Sequence, residues 1–301
     1  MHEESEINLV EGDLIKRTIG RIHKLADRSV QDLLAIIILF VLLPLGFLVE
    51  IFVVLPYYFP IFSQSWIVRL VLLSYFGLNA FINIYKIVKV GPNGLGSDLP
   101  ALNKPGFRYC YDCQLNEPPR SFHCPVCDKC AFRRDHHCSF VATCIGHFNH
   151  RYYVAAVCSL LIIASVCLTW NLSLMWDNFG GLSIGQIWLL IVPHIALIFR
   201  VISLSDFIHI VLFSVSFGVV LFLVYLIGAQ IFCLWRGQTR VEYLMGIEAY
   251  HLGFLENIRQ AFGRRWPLIF FSPFVTSPLD SDGLSFITRE SVSVAADTKD
   301  M

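Results

Sequence analysis

Four runs of apolar residues, approximately Leu33 to Leu55, Ile67 to Val88, Tyr152 to Trp176 and Phe207 to Trp235, constrain this chain more than any other feature. Each is long enough to cross a hydrocarbon layer, which takes about 20 residues of α-helix. Of the 301 residues 55% are hydrophobic and only 15% charged, against about 25% charged in an ordinary soluble domain. One water-soluble core cannot absorb that much apolar surface. Helices satisfy their own backbone hydrogen bonds in lipid, so the runs predict four transmembrane helices. Trp66, Tyr152, Tyr153, Trp176 and Trp235 stand at the ends of the runs, the positions of an interfacial aromatic belt.

The placement of charge predicts the orientation. Twenty-three basic residues balance twenty-three acidic ones, which leaves no electrostatic case for nucleic acid as a partner. Five of the Lys and Arg residues precede the first run, nine lie from Lys86 to Arg151 and seven follow the fourth. By the positive-inside rule both termini and the segment between the second and third runs face the cytosol. The first thirty residues are polar and predict no cleaved secretory signal, and neither myristoylation nor prenylation is expected at the termini. Ile15, Ile19, Ile22 and Leu25 recur at helical spacing opposite a basic face, which fits an amphipathic helix on the membrane surface or a solvated tail helix. The apolar stretch 187–199, interrupted by Pro193 and His194, is short for a span. It is placed in the luminal connection, as an interfacial or re-entrant piece or a bent extension of the fourth helix. Glu50 and Arg69 either pair near the luminal ends of the first two spans or each reach the interface.

Seven of the ten cysteines lie between Cys110 and Cys144, and five of the ten histidines lie between His123 and His150. They read Cys110-x2-Cys113-x9-His123-Cys124-x2-Cys127-x2-Cys130-x4-Asp135-His136-His137-Cys138-x5-Cys144. Seven is odd, so disulfides cannot pair them all, and CxxC knuckles interleaved with histidine suit zinc better. Two knuckles imply two tetrahedral sites of four soft ligands each. Six cysteines with two histidines would fill both and leave one cysteine over, although the count alone does not say which. The surroundings favour Cys138: an imidazole can take a thiol proton, and a carboxylate can hold that imidazole in the right tautomer. In an extended segment His136 and Cys138 share a face while Asp135 points away, so a turn must return the acid.

This stretch resembles the DHHC-type protein S-acyltransferases, the palmitoyltransferases, almost position for position from Cys110 to Asn149. The resemblance implies one structural Zn2+ on Cys110, Cys113, His123 and Cys130, and a second on Cys124, Cys127, His137 and Cys144. It implies that Cys138 is the nucleophile, His136 its general base and Asp135 the orienting acid. Acyl-CoA, palmitoyl-CoA for example, would be the co-substrate, and cytosol-facing proteins with a membrane-proximal cysteine the acceptors. Golgi or ER membranes are the implied location, with an accessory subunit as a further implied partner. The chain departs from the family at Arg240 in Thr239-Arg240-Val241-Glu242, where a second threonine is usual, at Ser139-Phe140 in place of Pro-Trp, and at Ala142-Thr143 in place of paired asparagines. A motif around Tyr250, Gly253, Asn257 and Phe262-Gly263 is similar to the family's C-terminal one, whose asparagine locks that segment to the membrane helices.

The predicted fold is thus an all-α polytopic membrane protein: four transmembrane helices, with a small cytosolic zinc-binding domain between the second and third. Residues 1–32 form an N-terminal segment, 33–88 the first helix pair, 89–151 the cysteine-rich domain and 152–235 the second pair with its luminal connection. Residues 236–275 form a membrane-associated segment and 276–301 a disordered tail rich in Ser, Thr and Asp. Arg133 and Arg134 either attract CoA phosphates or balance the thiolate charge. His150 is expected at a solvated or lipid-facing membrane edge, and Asn171 falls inside an apolar run, which discounts its glycosylation triplet. Cys158, Cys167 and Cys233 are read as packing residues. The competing reading is a membrane-anchored zinc-binding interaction module, a RING-like adaptor or a catalytically silent scaffold, which needs both metals but has no use for Cys138.

Overall fold

In the computed structural model residues 30–94, 104–179 and 187–291 are described. The amphipathic helix expected around Ile15 to Leu25 lies outside them. Among the described residues four helices are long and apolar enough to cross a membrane: α1 (Val30–Tyr58), α2 (Gln64–Val90), α3 (His150–Phe179) and α6 (Leu204–Arg236). Each starts two or three residues before its apolar run, because polar residues such as Asp32, Gln64 and Asp206 form the first turn. Helix α1 contains two π-helical turns, Ile38–Leu42 and Glu50–Val54, just ahead of Pro44 and Pro56. A proline ring collides with the carbonyl four residues back and donates no hydrogen bond, and a wider turn accommodates both defects.

Helix α3 is central, packed against α2 on one side and α6 on the other. The stretch 187–199 folds as two short helices, α4 (Ile187–Ile191) and α5 (Pro193–Ile198), which lay Leu189 and Ala196 against Ile210 of α6. Glu50 and Arg69 do not meet. Glu50 is buried in the bundle, where its Oε1 accepts from Asn171 Nδ2 at 2.6 Å, while Arg69 covers the Phe59 ring at 3.7 Å. Trp66 and Tyr153 are likewise internal rather than interfacial: Trp66 donates Nε1–H to the Ile51 carbonyl at 3.1 Å, and Tyr153 joins the main core. Trp176 and Trp235 remain exposed, as a belt requires.

Between α2 and α3 the described residues form three antiparallel hairpins: β1 (Arg108–Cys110) with β2 (Leu115–Glu117), β3 (Phe122–Cys124) with β4 (Lys129–Ala131), and β5 (His136–Cys138) with β6 (Thr143–Ile145). The first two knuckles sit at the tips of the first two hairpins. In the third tip Ala142 holds a φ of +44°, a left-handed conformation that L-residues other than Gly and Asn resist. Ala142→Asn is expected to stabilise this domain by about 0.5 to 1 kcal/mol, read as a higher midpoint for heat-induced metal release. An unchanged or lower midpoint would show that the tip carries no such strain.

After α6 the backbone turns at Gly237, whose φ is +67° and whose absent Cβ would lie 2.7 Å from His251 Cα. No larger residue fits there. Helices α7 (Arg240–Leu244) and α8 (Phe254–Phe262) follow, then a 3-10 turn, Trp266–Phe270. Asn257 on α8 donates Nδ2–H to the Leu234 carbonyl at 2.9 Å and accepts from Leu252 N at 3.1 Å, tying this segment to the end of α6. Residues 276–291 are not loose, contrary to their composition. Ser277 is buried, His147 Nε2–H donates to the Ser281 carbonyl at 2.9 Å, and Gly283 packs against Phe132 and His147.

Candidate functional site

Strand alternation sorts the cysteine-rich segment into two metal-sized groups. On β3, His123 and Cys124 are neighbours and therefore face opposite sides. His123 pairs with Cys130 across the ladder, and the two meet Cys110 and Cys113; Cys124 turns away toward Cys127, Cys144 and His137. On β5, His137 is registered with Cys144, and both belong to the second group. In each group the four donor atoms lie within 4.8 Å of one another. Four donors around one tetrahedral zinc stand ~3.5 to 3.8 Å apart, given bonds of 2.0 to 2.3 Å. The shorter observed edges match: Cys113 Sγ to His123 Nδ1 is 3.3 Å and Cys130 Sγ to Cys113 Sγ 3.6 Å. In the second group Cys127 Sγ is 3.2 Å from His137 Nδ1 and 3.7 Å from Cys144 Sγ. Both sets of residues fit a zinc ion. His137 presents its other nitrogen, Nε2, to the Asp32 carboxylate at 3.2 Å, a contact from the first turn of α1.

The same alternation puts His136 and Cys138 on the face opposite His137. Cys138 belongs to neither donor group. It is 8% exposed and borders the apolar cluster of Ile145, Tyr153, Val154, Val157 and Leu223, with Phe140 beside it. Asp135 is returned toward His136 by the turn ahead of β5, where Arg133 has a φ of +44° and Asp135 N donates to the Ile145 carbonyl at 2.9 Å. Its Oδ2 lies 2.8 Å from His136 Nδ1. The three residues predicted to carry the chemistry therefore meet, and so do all eight predicted donors.

Burial pushes the Asp135 carboxyl up, but hydrogen bonds from His136 and Gln230 outweigh it and hold the group well below the usual carboxylate range. Burial pulls His136 down, while its hydrogen bonds to Asp135 and Cys138 raise it to about 9. The His136 ring also packs edge-on to Tyr153, with centroids 5.0 Å apart.

Several neighbours escape sequence reasoning. Gln230, buried in α6, donates Nε2–H to Asp135 Oδ2 at 3.0 Å, and its Oε1 accepts from His150 Nε2 at 2.6 Å. Arg133 Nη1 meets His150 Nδ1 at 3.1 Å. Since arginine only donates, these contacts run in one direction, from Arg133 through His150 and Gln230 to the carboxylate. His150 is thus buried in this chain of contacts and not at a wet or lipid-facing edge. Arg133 is buried too, which withdraws it from a phosphate, and Arg134 donates one Nη1–H to the His123 carbonyl at 2.9 Å. On the other side Asp135 Oδ1 accepts from Arg240 N at 2.9 Å. A backbone amide makes that bond, so a side-chain hydroxyl at position 240 is dispensable for it.

The chain matches the sequence profile of the DHHC palmitoyltransferase family over residues 103–247. The probable palmitoyltransferase ZDHHC24 of Mus musculus is 33% identical over 244 residues, 78% of this chain and 84% of that protein. Its Homo sapiens namesake is 35% identical over 198 residues, 64% of this chain and 68% of its own. The Homo sapiens palmitoyltransferase ZDHHC9 is 40% identical over 65 residues, 22% of this chain and 18% of that one. Since the similarity to the mouse protein runs well beyond the cysteine-rich segment and covers most of both chains, this chain belongs to the DHHC palmitoyltransferase family.

Proposed function

We propose that this chain is a protein S-acyltransferase, which moves a long fatty acyl group from acyl-CoA to Cys138 and then to a cysteine of a substrate protein. One observation carries the reading. Cys138 stands outside both donor groups, on a strand face shared with His136, whose Nδ1 is 2.8 Å from the buried Asp135. His136 takes the thiol proton, and Asp135 stabilises the imidazolium and fixes its orientation. The Cys138 thiolate attacks the thioester carbonyl carbon. The tetrahedral intermediate collapses by breaking the bond to the CoA sulfur, which leaves with the proton returned from His136. In the second half the substrate cysteine gives its proton to His136 and attacks the new thioester, and Cys138 departs as a thiolate. One thioester replaces another, with no oxidation or reduction.

Cys110, Cys113, His123 and Cys130 would hold one zinc, and Cys124, Cys127, His137 and Cys144 the other. Four protein ligands close each site, so the metals supply folding energy rather than a reactant. Cys138 opens onto apolar side chains of α3 and α6, a suitable surface for a chain that gains about 0.8 kcal/mol per buried methylene. The zinc domain and both termini face the cytosol, and Golgi or ER membranes are the proposed location.

The test uses the purified full-length chain in lipid nanodiscs with palmitoyl-CoA. The expected product is one palmitoyl adduct by intact mass, located on Cys138 and removed by neutral hydroxylamine. No adduct, or an adduct elsewhere, overturns the reading.

Asp32 supplies a separate check on the metal assignment. A carboxylate that fixes the outer nitrogen of a ligating histidine typically contributes 10 to 100-fold in metal affinity. Asp32→Ala is therefore expected to speed zinc loss from the second site to a chromogenic chelator about tenfold. Unchanged release would mean that His137 needs no such support.

A further inference from the structure

The segment after Thr276 is polar enough to be read as tail, yet residues 277–291 fold back over the cysteine-rich domain. Arg151 donates to the Ser277 carbonyl, and Ser281 is fixed through its carbonyl by His147. Arg289 N donates to the Ala249 carbonyl at 2.8 Å. Gly283 makes the closest approach. Its φ is +85°, and a Cβ there would stand 3.0 Å from Phe132 and 3.1 Å from His147. This leads Phe286 into a niche between the His147 ring, with centroids 5.4 Å apart, and the Tyr250 ring, with centroids 6.3 Å apart.

Behind that niche lies Arg120, a cation only 3% exposed. Its guanidinium carbon is 4.2 Å from the Tyr250 centroid and 5.3 Å from that of Phe286. It grips Glu242 through two bonds of 2.6 and 2.7 Å and the Gly237 carbonyl at 3.0 Å. Glu242 Oε2 also accepts from Thr239 N at 2.8 Å, closing a capping box at the start of α7. The next amide, Arg240 N, is the donor to Asp135 Oδ1. From its other end Arg120 reaches the same acid, because its carbonyl accepts from Arg134 N at 3.1 Å, one residue before Asp135. A buried ion pair holds one geometry only while water is kept out and its bonds stay aligned, and aromatic faces over the guanidinium serve both needs.

We propose that Phe286 is a positioning residue for Asp135: its ring shuts the Arg120–Glu242 clamp from outside, and the clamp holds the Arg240 amide against the carboxylate. Residues beyond the segment matched by the family profile would then set the geometry of the reaction. This inference rests on the acyltransferase reading above.

The experiment measures self-acylation by palmitoyl-CoA for the full-length parent, Phe286→Ala and Phe286→Tyr, together with zinc content and amide exchange. Small displacements at a reacting centre cost on the order of tenfold or more, so Phe286→Ala is expected to lower kcat about tenfold with KM for palmitoyl-CoA within about twofold. Phe286→Tyr restores the rate. Exchange of the Arg240 amide speeds up in Phe286→Ala, while zinc content and the protection of β3 and β4 match the parent. In a Glu242→Gln background the clamp is already weakened, so Phe286→Ala costs less than it does in the parent. The inference is overturned by a kcat within twofold of the parent, or by a loss that appears in KM. It also falls if the loss follows zinc content and is not rescued by tyrosine, or if the two substitutions act independently. An inert parent overturns the acyltransferase reading, and this inference with it.

Discussion

Cys138→Ser is expected to abolish self-acylation, by at least ~1,000-fold given what loss of a nucleophile costs in comparable catalytic sets, while both zinc ions and the four spans persist. The fold should be indifferent because Cys138 Sγ belongs to neither donor group, and serine replaces one atom by a smaller one. The chemistry should not be indifferent. A hydroxyl beside an imidazole is a poorer nucleophile than a thiolate, and an ester formed on serine would be a worse donor to an incoming thiol than a thioester. Labelled palmitoyl-CoA with hydroxylamine treatment reads out the result. Labelling of Cys138→Ser at the parent rate would remove the proposed nucleophile. Full cellular function in Cys138→Ser alongside its loss in Cys113→Ser would favour a zinc-dependent scaffold instead.

What the sequence reveals of this site follows from the range of the interactions. Two four-donor metal sites are legible because CxxC knuckles are local; the division of the donors between them is implied only by the family resemblance, and the structure explains it by the way a strand alternates its side chains. That alternation lets His123 and Cys124 serve different sites, and it separates His137 from His136 and Cys138. The four spans are legible because lipid demands long apolar helices whatever they pack against. The supports of Asp135 are not. Gln230 is 95 residues away in sequence and the Arg240 amide 105 away, and no local pattern encodes either approach. Gln230 does leave one trace, as a polar side chain inside a long apolar helix, which is costly unless it has a partner. Asp32 leaves none, since an acid at the start of a helix is favourable in any case. The packed segment 276–291 misleads for a related reason. Its composition predicts disorder, while its order comes from a few docking contacts made by Ser277, Gly283 and Phe286.

Interleaving of the donor groups makes a second large effect predictable. Each structural zinc is expected to supply on the order of 10 kcal/mol or more of folding free energy at neutral pH, which exceeds what hairpins of three-residue strands can provide by themselves. The two sites are not separable units. Strand β3 gives His123 to one and Cys124 to the other, and β4 returns Cys130 to the first from the hairpin whose tip carries Cys127 of the second. Breaking either site should therefore release both metals. Cys144→Ser is expected to take the zinc content from two per chain toward none rather than to one. Self-acylation should go with it, since Ile145 beside Cys144 accepts the Asp135 amide. A strong chelator should do the same to the parent and leave a helical protein, because α1, α2, α3 and α6 owe nothing to the metal. Elemental analysis, circular dichroism and the acylation assay on the same preparations decide it. If Cys144→Ser keeps one full equivalent of zinc and the parent's rate, the sites fold independently and the coupling argued from β3 is wrong.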